Sequence, residues 1–475
     1  MRLMLLPVDS RPCNTRFVEA LCRHAGAQCV LPAAGERDWF DRPSRWEDRL
    51  SFVERELPRC DAAVLSLDQW CYGSLLASRE ESTSPETALN RIEALRQLLL
   101  AHPGKPVYAS SVILRSSISV FTPEELKLHW AVTEYSQALD YSERVPGEES
   151  KKRLEAATAA LPEALKQKLH RVRARNLSVN LAAIELVKEG LISFLSLLQE
   201  DSQPYGLHKR DQREILKALS GSTDLPALVR NGTDEAGAML AARALSTAGA
   251  QAEAELLWLG DRGFTALYED RPFAENLDAA LREASIRVRA GSKNVLCVLC
   301  PPSGRQCEAP DWQPDAAFLS EAASRISSLI SAGRRVYLLD LVCANGGTKG
   351  LLKALARPDD LWGYSAWNTA SNAMGTLLAQ VVTDSIPDKK NERFLYERVL
   401  DDLCYQSHIR QALQTALLQK GENIYHLQDT ASAVQLLQKL YEQSLPELWP
   451  FSHVPKYCAS LPWPRCFEVD VEVQA

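Results

Sequence analysis

No stretch of this sequence is apolar for long enough to span a bilayer, so no membrane partner is expected. It also has no basic excess. Lys and Arg number 54 against 61 Asp and Glu, a net charge of −7, and a nucleic-acid partner would need a basic patch and usually a basic balance. No Gly-x-Gly-x-x-Gly follows a strand-like run and no Gly-Lys-Ser/Thr loop is present, which removes the usual cradles for dinucleotides and nucleotide phosphates. The Gly-x-Ser-x-Gly elbow of serine hydrolases is missing too. There is no Pro-rich or Gly/Ser-rich tether, internal repeat or low-complexity run, so the domains should pack tightly. The eight histidines show no metal-ligand pairing. No cofactor is therefore expected, and the open alternative is a divalent ion held by Asp and Glu oxygens.

What is present is the composition of a globular chain: 475 residues, 46% hydrophobic and 24% charged, long enough for two or three domains. The opening MRLMLLPVDSRP meets Pro and Asp before any small-residue cleavage site and reads as a first strand. Several of the twelve cysteines sit inside apolar segments, including Cys297 and Cys300 in NVLCVLC and Cys343 in YLLDLVC. They read as small buried hydrophobes of a reducing compartment, which points to the cytoplasm. Cys297 and Cys300 have redox or zinc spacing, but residues three apart on a strand face opposite ways, and no second pair completes a zinc ribbon.

Strand-like runs recur at Leu3–Val8, Gln28–Leu31, Ala62–Leu67, Pro106–Leu114, Ile192–Leu198, Ala227–Val229, Glu255–Leu259, Ser285–Val288, Asn294–Leu299, Arg335–Val342 and Trp362–Ala366. Helical periodicity separates most of them, as in 90–101, 210–219, 235–246 and 316–332. That alternation predicts an α/β fold: mostly parallel sheets in two or more packed Rossmann-like domains. Residues 117–189 keep a helical period and form a helical insertion, expected to cover one end of a sheet. A boundary near 288–293 divides an N-terminal α/β domain, 1–290, from a C-terminal α/β domain with a helical tail, 291–475. The alternative is a (β/α)8-barrel-like N-terminal domain with a smaller α/β domain after it.

Ligands of parallel α/β sheets bind outside the carboxyl ends of strands, so polar residues there carry more information than those on helix faces. The stretch Leu191–Gly206 is the model for this pattern, an apolar run that breaks into Glu200, Asp201 and Pro204-Tyr205-Gly206. Asp9 and Arg11 follow the first strand. Asp68 follows the third, beside Trp70, Tyr72 and Arg79. Asn231, Asp234 and Glu235 follow another, where Gly232 suits a turn and Thr233 or Asp234 a helix cap. Asp270, Asp340, Asn345, Trp367, Asn368 and Asn372 complete the set, with His208 near Asp201. Each has an ordinary reading as a cap, a local ion pair or a loop residue. Together, carboxylates, amides and aromatics at strand ends suit a small carbohydrate: acids for proton transfer, Asn and Asp for hydroxyls, Trp and Tyr for a ring face. The loop Asn345–Gly350 could also hold an anion on backbone N–H groups.

The ordered series VDSRP (8–12), YGSLLASR (72–79), RNLSVN (175–180), QEDSQPYG (199–206), NGTDE (231–235), YEDRPFAEN (268–276), ANGG (344–347), YSAWNTASNAMGT (364–376), FLYERVLDDLCYQ (394–406) and LPWPRCFEVD (461–470) resembles the bacterial domain-of-unknown-function family 4127. The resemblance covers nearly the whole chain. It implies no established activity; members of the family look like cytoplasmic proteins of sugar-scavenging bacteria. Three positions depart from the pattern: Ser10 and Glu200 stand where it has Asp, and Thr348 breaks its Asn-Gly-x-Asp. Asp9, Asp201, Asp234 and Glu235 keep it.

These readings converge on a glycoside hydrolase acting with two carboxylates, Asp201 and one of Asp234 or Glu235. Asp9, Arg11, Asp68, Asp270, Asn345 and Asn368 would bind substrate hydroxyls, and Trp70, Tyr205 or Trp367 would stack on the ring. Two alternatives stand beside it: a metal-dependent hydrolase or lyase with Asp9, Asp68, Asp201 and Asp234 on a divalent ion, and a non-enzymatic sugar-binding or regulatory protein.

Overall fold

The computed structural model of the chain describes residues 1–221, 225–248, 251–312 and 315–474. The chain forms two compact units, Met1–Ala244 with Tyr268–Asp270, and Leu245–Leu267 with Arg271–Ala475. Both are α/β and built on mostly parallel sheet, as the alternating pattern requires.

The sheet of the first unit contains β1 (Arg2–Leu6), β2 (Gln28–Val30), β3 (Ala62–Ser66), β4 (Val107–Ile113), β5 (Phe194–Gln199) and β6 (Ala227–Asn231). They are ordered β2-β1-β3-β4-β5-β6 with every pairing parallel. β4 and β5 are buried along their whole length. Both faces of a parallel sheet are covered by crossover helices, so VYASSVI and FLSLLQ lack the polar alternation of a half-exposed strand.

The connecting helices are α1 (Arg16–His24), α2 (Trp46–Glu56), the short α3 (Leu67–Tyr72), α4 (Pro85–Ala101), α5 (Pro123–Arg144), α6 (Glu148–Ala159), α7 (Glu163–Lys188), α8 (Leu207–Ser220) and α9 (Ala236–Ala248). Local chemistry fixes several starts. Ser84 caps α4 by accepting from the Thr87 N–H, with Pro85 in the first turn, and Thr122 accepts from the Glu125 N–H at the start of α5.

The helical insertion differs from expectation in one respect. Its last helix, α7, does not cover a sheet end: Val179, Ala183, Ile184 and Val187 join the apolar core with Ala109 of β4 and Leu195 and Leu197 of β5. α7 is thus the β4–β5 crossover helix. α5 and α6 build a satellite core of their own from Val132, Tyr135, Ala138 and Ala157, closed by Leu169 of α7 and Leu207 of α8. A period-3.6 stripe shows that a helix buries one face, and it is silent on what lies opposite.

The second unit holds β7 (Glu253–Leu259), β8 (Arg287–Val288), β9 (Asn294–Leu299), β10 (Cys307–Glu308), β11 (Arg335–Asp340), β12 (Cys343–Ala344) and β13 (Gly363–Ser365). Its main sheet runs β13-β11-β9-β7-β8, all parallel, with β10 and β12 paired separately. Residues 289–293 link β8 to β9 inside this unit. β14 (Tyr457–Ser460) and β15 (Asp470–Val473) form an antiparallel pair. Cys297 lies within the core against Leu299, Leu338 and Ile326; it and Cys300 are buried thiols. Among the described residues no helix is long and apolar enough to cross a membrane.

Candidate functional site

The carboxyl edge of the first unit's sheet gathers charges from five strand ends. Arg11, following β1, is the centre. Its Nε and Nη2 donate to both oxygens of Asp9 at 2.6–3.0 Å, while Nη1 and Nη2 donate to the two oxygens of Asp234 at 3.0 and 2.5 Å. One guanidinium therefore bridges β1 and the loop after β6, 223 residues apart in sequence. Asn14 adds a 2.8 Å bond to Asp9. All four residues are buried, where planar bidentate pairing is the arrangement that keeps such charges tolerable. Burial pushes the Asp234 carboxyl up; Arg11 opposes this, while Asp9 and Glu200 add to it.

Around this bridge stand three more acids. Asp68 opens α3 just after β3 and accepts from the Val112 N–H at 2.8 Å. Burial raises its pKa to about 7, with the Glu200 charge adding to the rise. Asp38, from the loop before α2, accepts from the Ser10 N–H at 3.2 Å and from Gln69 Nε2 at 3.3 Å. Burial and the Asp9 charge raise it to about 8. Glu200, directly after β5, behaves oppositely. Burial alone would raise it, but Arg79 and Arg115 outweigh burial and hold it below the ordinary carboxylate range. Glu200 is paired with Arg79, and its second oxygen accepts from the Arg115 N–H at 3.3 Å. Asp201 beside it pairs with Arg115, and its side chain is 33% exposed, against 6% for Glu200.

Other expected residues have structural duties. Glu235 was expected as one member of the catalytic pair, but its side chain has no exposure. It pairs with the equally enclosed Arg230 and accepts from the Thr233 N–H at 2.9 Å. Gly232 makes room for it: φ is +121°, and an added Cβ would collide with the Glu235 carboxylate and Arg230. Asp270 is enclosed as well, accepting from Lys209 Nζ and Gln212 Nε2, each at 2.7 Å. His208 is buried with Nδ1 2.7 Å from Ser116 Oγ and Nε2 2.9 Å from the Gln203 carbonyl; it fastens the loop after β5, and burial lowers its pKa to about 3. Tyr205 packs edge-on against Tyr141 with Arg144 over its ring, so its ring serves the insertion. Trp70 is fully buried against Trp46, its Nε1 donating to the Arg91 carbonyl.

In the second unit, Asn345 and Asn368 come together through a 2.8 Å bond from the Asn345 N–H to the Asn368 carbonyl. Both take left-handed φ, 56° and 54°, which Asn tolerates better than most residues. Asn345 Nδ2 donates to Glu308 at 2.9 Å. Trp367 is buried and donates from Nε1 to Thr376 Oγ1 at 3.2 Å, which makes it a packing group instead of a ring platform. In the glycine loop, two further N–H groups are already used within the protein. The Gly347 N–H donates to the Asp402 carbonyl, and Thr348 donates both its N–H and its hydroxyl to Asp340, at 2.6 Å each. Among the described residues no three His, Cys, Asp or Glu side chains converge as a metal site.

Sequence reasoning named Arg79 and demoted Glu200; it missed Arg115, Asp38 and Gln69. Arg115 follows β4 as the others follow their strands, so the same rule would have found it. Asp38 lies well along the connection from β2 to α2, away from the strand end itself, and only the tertiary fold brings it to Ser10. Asn14 Oδ1 and Gln69 Oε1 are buried acceptors that find no donor among the described residues; buried polar atoms ordinarily have one.

The profile of a family described as "Protein of unknown function (DUF4127)" matches residues 3–472. No curated protein matches the chain. A solved structure titled "Beta-glucosidase from Thermotoga maritima in complex with castanospermine" aligns over 78% of this chain and 88% of its own, at 9% identity and a TM-score of 0.15, too low to argue a shared fold or activity.

Proposed function

The chain belongs to the DUF4127 family, whose description assigns no activity, so we propose a function from the site itself: a glycosidase that cleaves a small glycoside with two carboxylates of the first unit. The observation that carries this reading is the opposed pair Asp68 and Glu200. Their strands, β3 and β5, flank β4. Asp68 is raised to about 7, so near neutral pH a substantial fraction of it holds a proton for the leaving oxygen. Glu200 is kept ionised by Arg79 and Arg115, ready to act as nucleophile or to activate water. Two carboxyls whose surroundings drive them apart are what glycoside cleavage needs.

The neighbouring groups fit a polyhydroxylated ligand. Asp201, at the accessible rim beside Glu200, and the Asp9–Arg11–Asp234 bridge offer charged partners for hydroxyls, and the amide oxygens of Asn14 and Gln69 are acceptors that hydroxyl donors would satisfy. The pair read from sequence is Asp201 with Asp234 or Glu235, its roles unassigned; Asp68 and Glu200 take its place, Asp68 as the acid and Glu200 as the ionised group. The test is a screen of aryl glycosides with the product anomer read by NMR, repeated on Asp68→Asn and Glu200→Gln. A cleaved glycoside, lost in both variants, supports the reading. A glycoside cleaved at the parental rate by both variants, or a broad panel with no cleavage at all, overturns it.

A further inference from the structure

The aromatic residues expected to stack on a sugar ring are used elsewhere: Trp70 and Trp367 are buried and Tyr205 packs within the insertion. A different tryptophan occupies the carboxyl edge. Trp39 is 43% exposed and directly follows Asp38, whose carboxylate is bound to the Ser10 N–H and to Gln69, the neighbours of Asp9 and Asp68.

The segment that presents Trp39 is built to hold it. The Trp39 N–H donates to the Arg42 carbonyl and the Arg42 N–H to the Trp39 carbonyl, both at 2.9 Å, which closes a tight two-residue turn. Phe40 within that turn has φ of 52°, a left-handed conformation unusual for a bulky side chain. It is retained because the Phe40 ring is fully buried, 5.3 Å from Phe121 in the connection after β4. Residues 38–42 thus form a strap fastened behind β1 through Ser10, behind β3 through Gln69 and behind β4 through Phe121. Strain held by surrounding contacts at a ligand-binding edge is a recurring feature of functional sites. The Arg42 guanidinium lies over the indole, 5.1 Å from the ring centroid.

We propose that Trp39 is the ring-stacking platform of this site, receiving the apolar C–H face of a pyranose whose hydroxyls reach the carboxylates behind the strap. The assignment rests on the glycosidase reading for its choice of ligand class. An exposed indole, fixed by its own backbone turn and beside buried acids, supplies the apolar plane and neighbouring polar groups that a sugar requires.

The experiment is a tryptophan-fluorescence titration of the full chain with methyl β-glucopyranoside, methyl β-galactopyranoside and cellobiose, with ligand-observed NMR as the second readout. Wild type should give a saturable response to at least one sugar. Trp39→Ala should bind it about tenfold or more weakly by NMR, the equivalent of 1.4 kcal/mol, and Trp39→Phe should recover part of the loss. Trp130→Ala, which removes the exposed indole of α5 (57% exposed), should bind like wild type. Unchanged affinity in Trp39→Ala, or no saturable response from wild type to any of the three sugars, overturns the platform. The two readings fail separately: sugar binding through Trp39 without turnover keeps the platform and defeats the hydrolase, whereas glycosides cleaved equally by wild type and Trp39→Ala do the reverse.

Discussion

The carboxyl edges of the two sheets look alike in sequence and differ in use. In the first unit, Asp9, Asp68, Glu200 and Asp234 come from four strand ends; Arg11 joins Asp9 to the distant Asp234, Arg79 and Arg115 hold Glu200, and Asp68 accepts from the Val112 N–H. In the second, Asp340 and Asp402 are saturated by nearby donors. Asp340 takes the Thr348 N–H and hydroxyl and the Tyr364 hydroxyl, the last at 3.1 Å, and Asp402 takes the Ala366 N–H at 2.8 Å with Arg398 at 3.0 Å. Burial raises both carboxyls, Asp402 to about 7. A raised pKa therefore does not distinguish the edges. What distinguishes them is that the first sets a raised carboxyl near a lowered one, while the second uses its acids to pin a glycine loop.

The largest effect that would sharpen this contrast is catalytic. Once a cleaved glycoside is in hand, Asp68→Asn and Glu200→Gln should each lower kcat/KM by about 10²–10⁴-fold, while Asp340→Asn should leave it nearly unchanged and lower the unfolding midpoint instead. A comparable catalytic loss from Asp340→Asn would erase the contrast. The pH profile should follow the same pair: activity falls as pH rises through about 7, where Asp68 loses its proton, and falls on the acid side below the ordinary carboxylate range, where Glu200 gains one. Asp68→Asn should also be more stable than wild type at pH 8. A carboxyl raised by folding contributes stability below its unfolded pKa, and that contribution is lost as pH rises through the folded value.

Next in size is Glu235→Ala, which removes the carboxylate that pairs with the buried Arg230. Urea unfolding should show a loss of about 3–5 kcal/mol, and a loss under 1 kcal/mol would mean that the enclosed pair is dispensable. In the second unit, Gly347→Ala would place a Cβ against the Tyr364 hydroxyl that serves Asp340. Overpacking of that kind costs about 1–3 kcal/mol, read by the same unfolding curves, and a neutral result would show that the loop has slack.

The smallest effect concerns His208. Its folded pKa of about 3 lies below the ordinary value of 6.5. Between those values the unfolded chain binds the proton and the folded chain does not, so stability is full above about pH 6.5 and declines as pH falls towards 3. From pH 7 to pH 5 the loss is about 2 kcal/mol. Carboxyls raised by burial, such as Asp68, act in the opposite direction over part of this range. The difference between wild type and His208→Gln isolates the histidine, and identical pH slopes for the two would refute its part in fastening the loop after β5.

Much of the fold was legible. The eleven strand-like runs correspond to strands of the two main sheets; the central strands, buried on both faces, must be apolar throughout, and the crossover helices keep a 3.6-residue period. The importance of strand ends was legible for the same reason, and Asp9, Arg11, Asp68 and Asp234 lie there. Their duties were not. Glu235 is next to Asp234 in sequence, yet Asp234 turns to Arg11 and Glu235 to Arg230. Trp70 looked like a ring platform beside Asp68 but is packed on Trp46, and Trp39, in a loop with no periodic signal, is the exposed indole of that edge.

The sequence by itself determined the elements and their class, since burial periodicity is a local property of a strand or helix. The tertiary structure decided which charges meet. Arg11 finds Asp234 across 223 residues, Asp38 reaches Ser10 from outside any strand and Arg79 meets Glu200 across 121 residues; burial with the Glu200 charge pushes Asp68 up, while Arg79 and Arg115 hold Glu200 down. Desolvation and Coulomb interactions depend on distance in space, which the order of residues along the chain does not record.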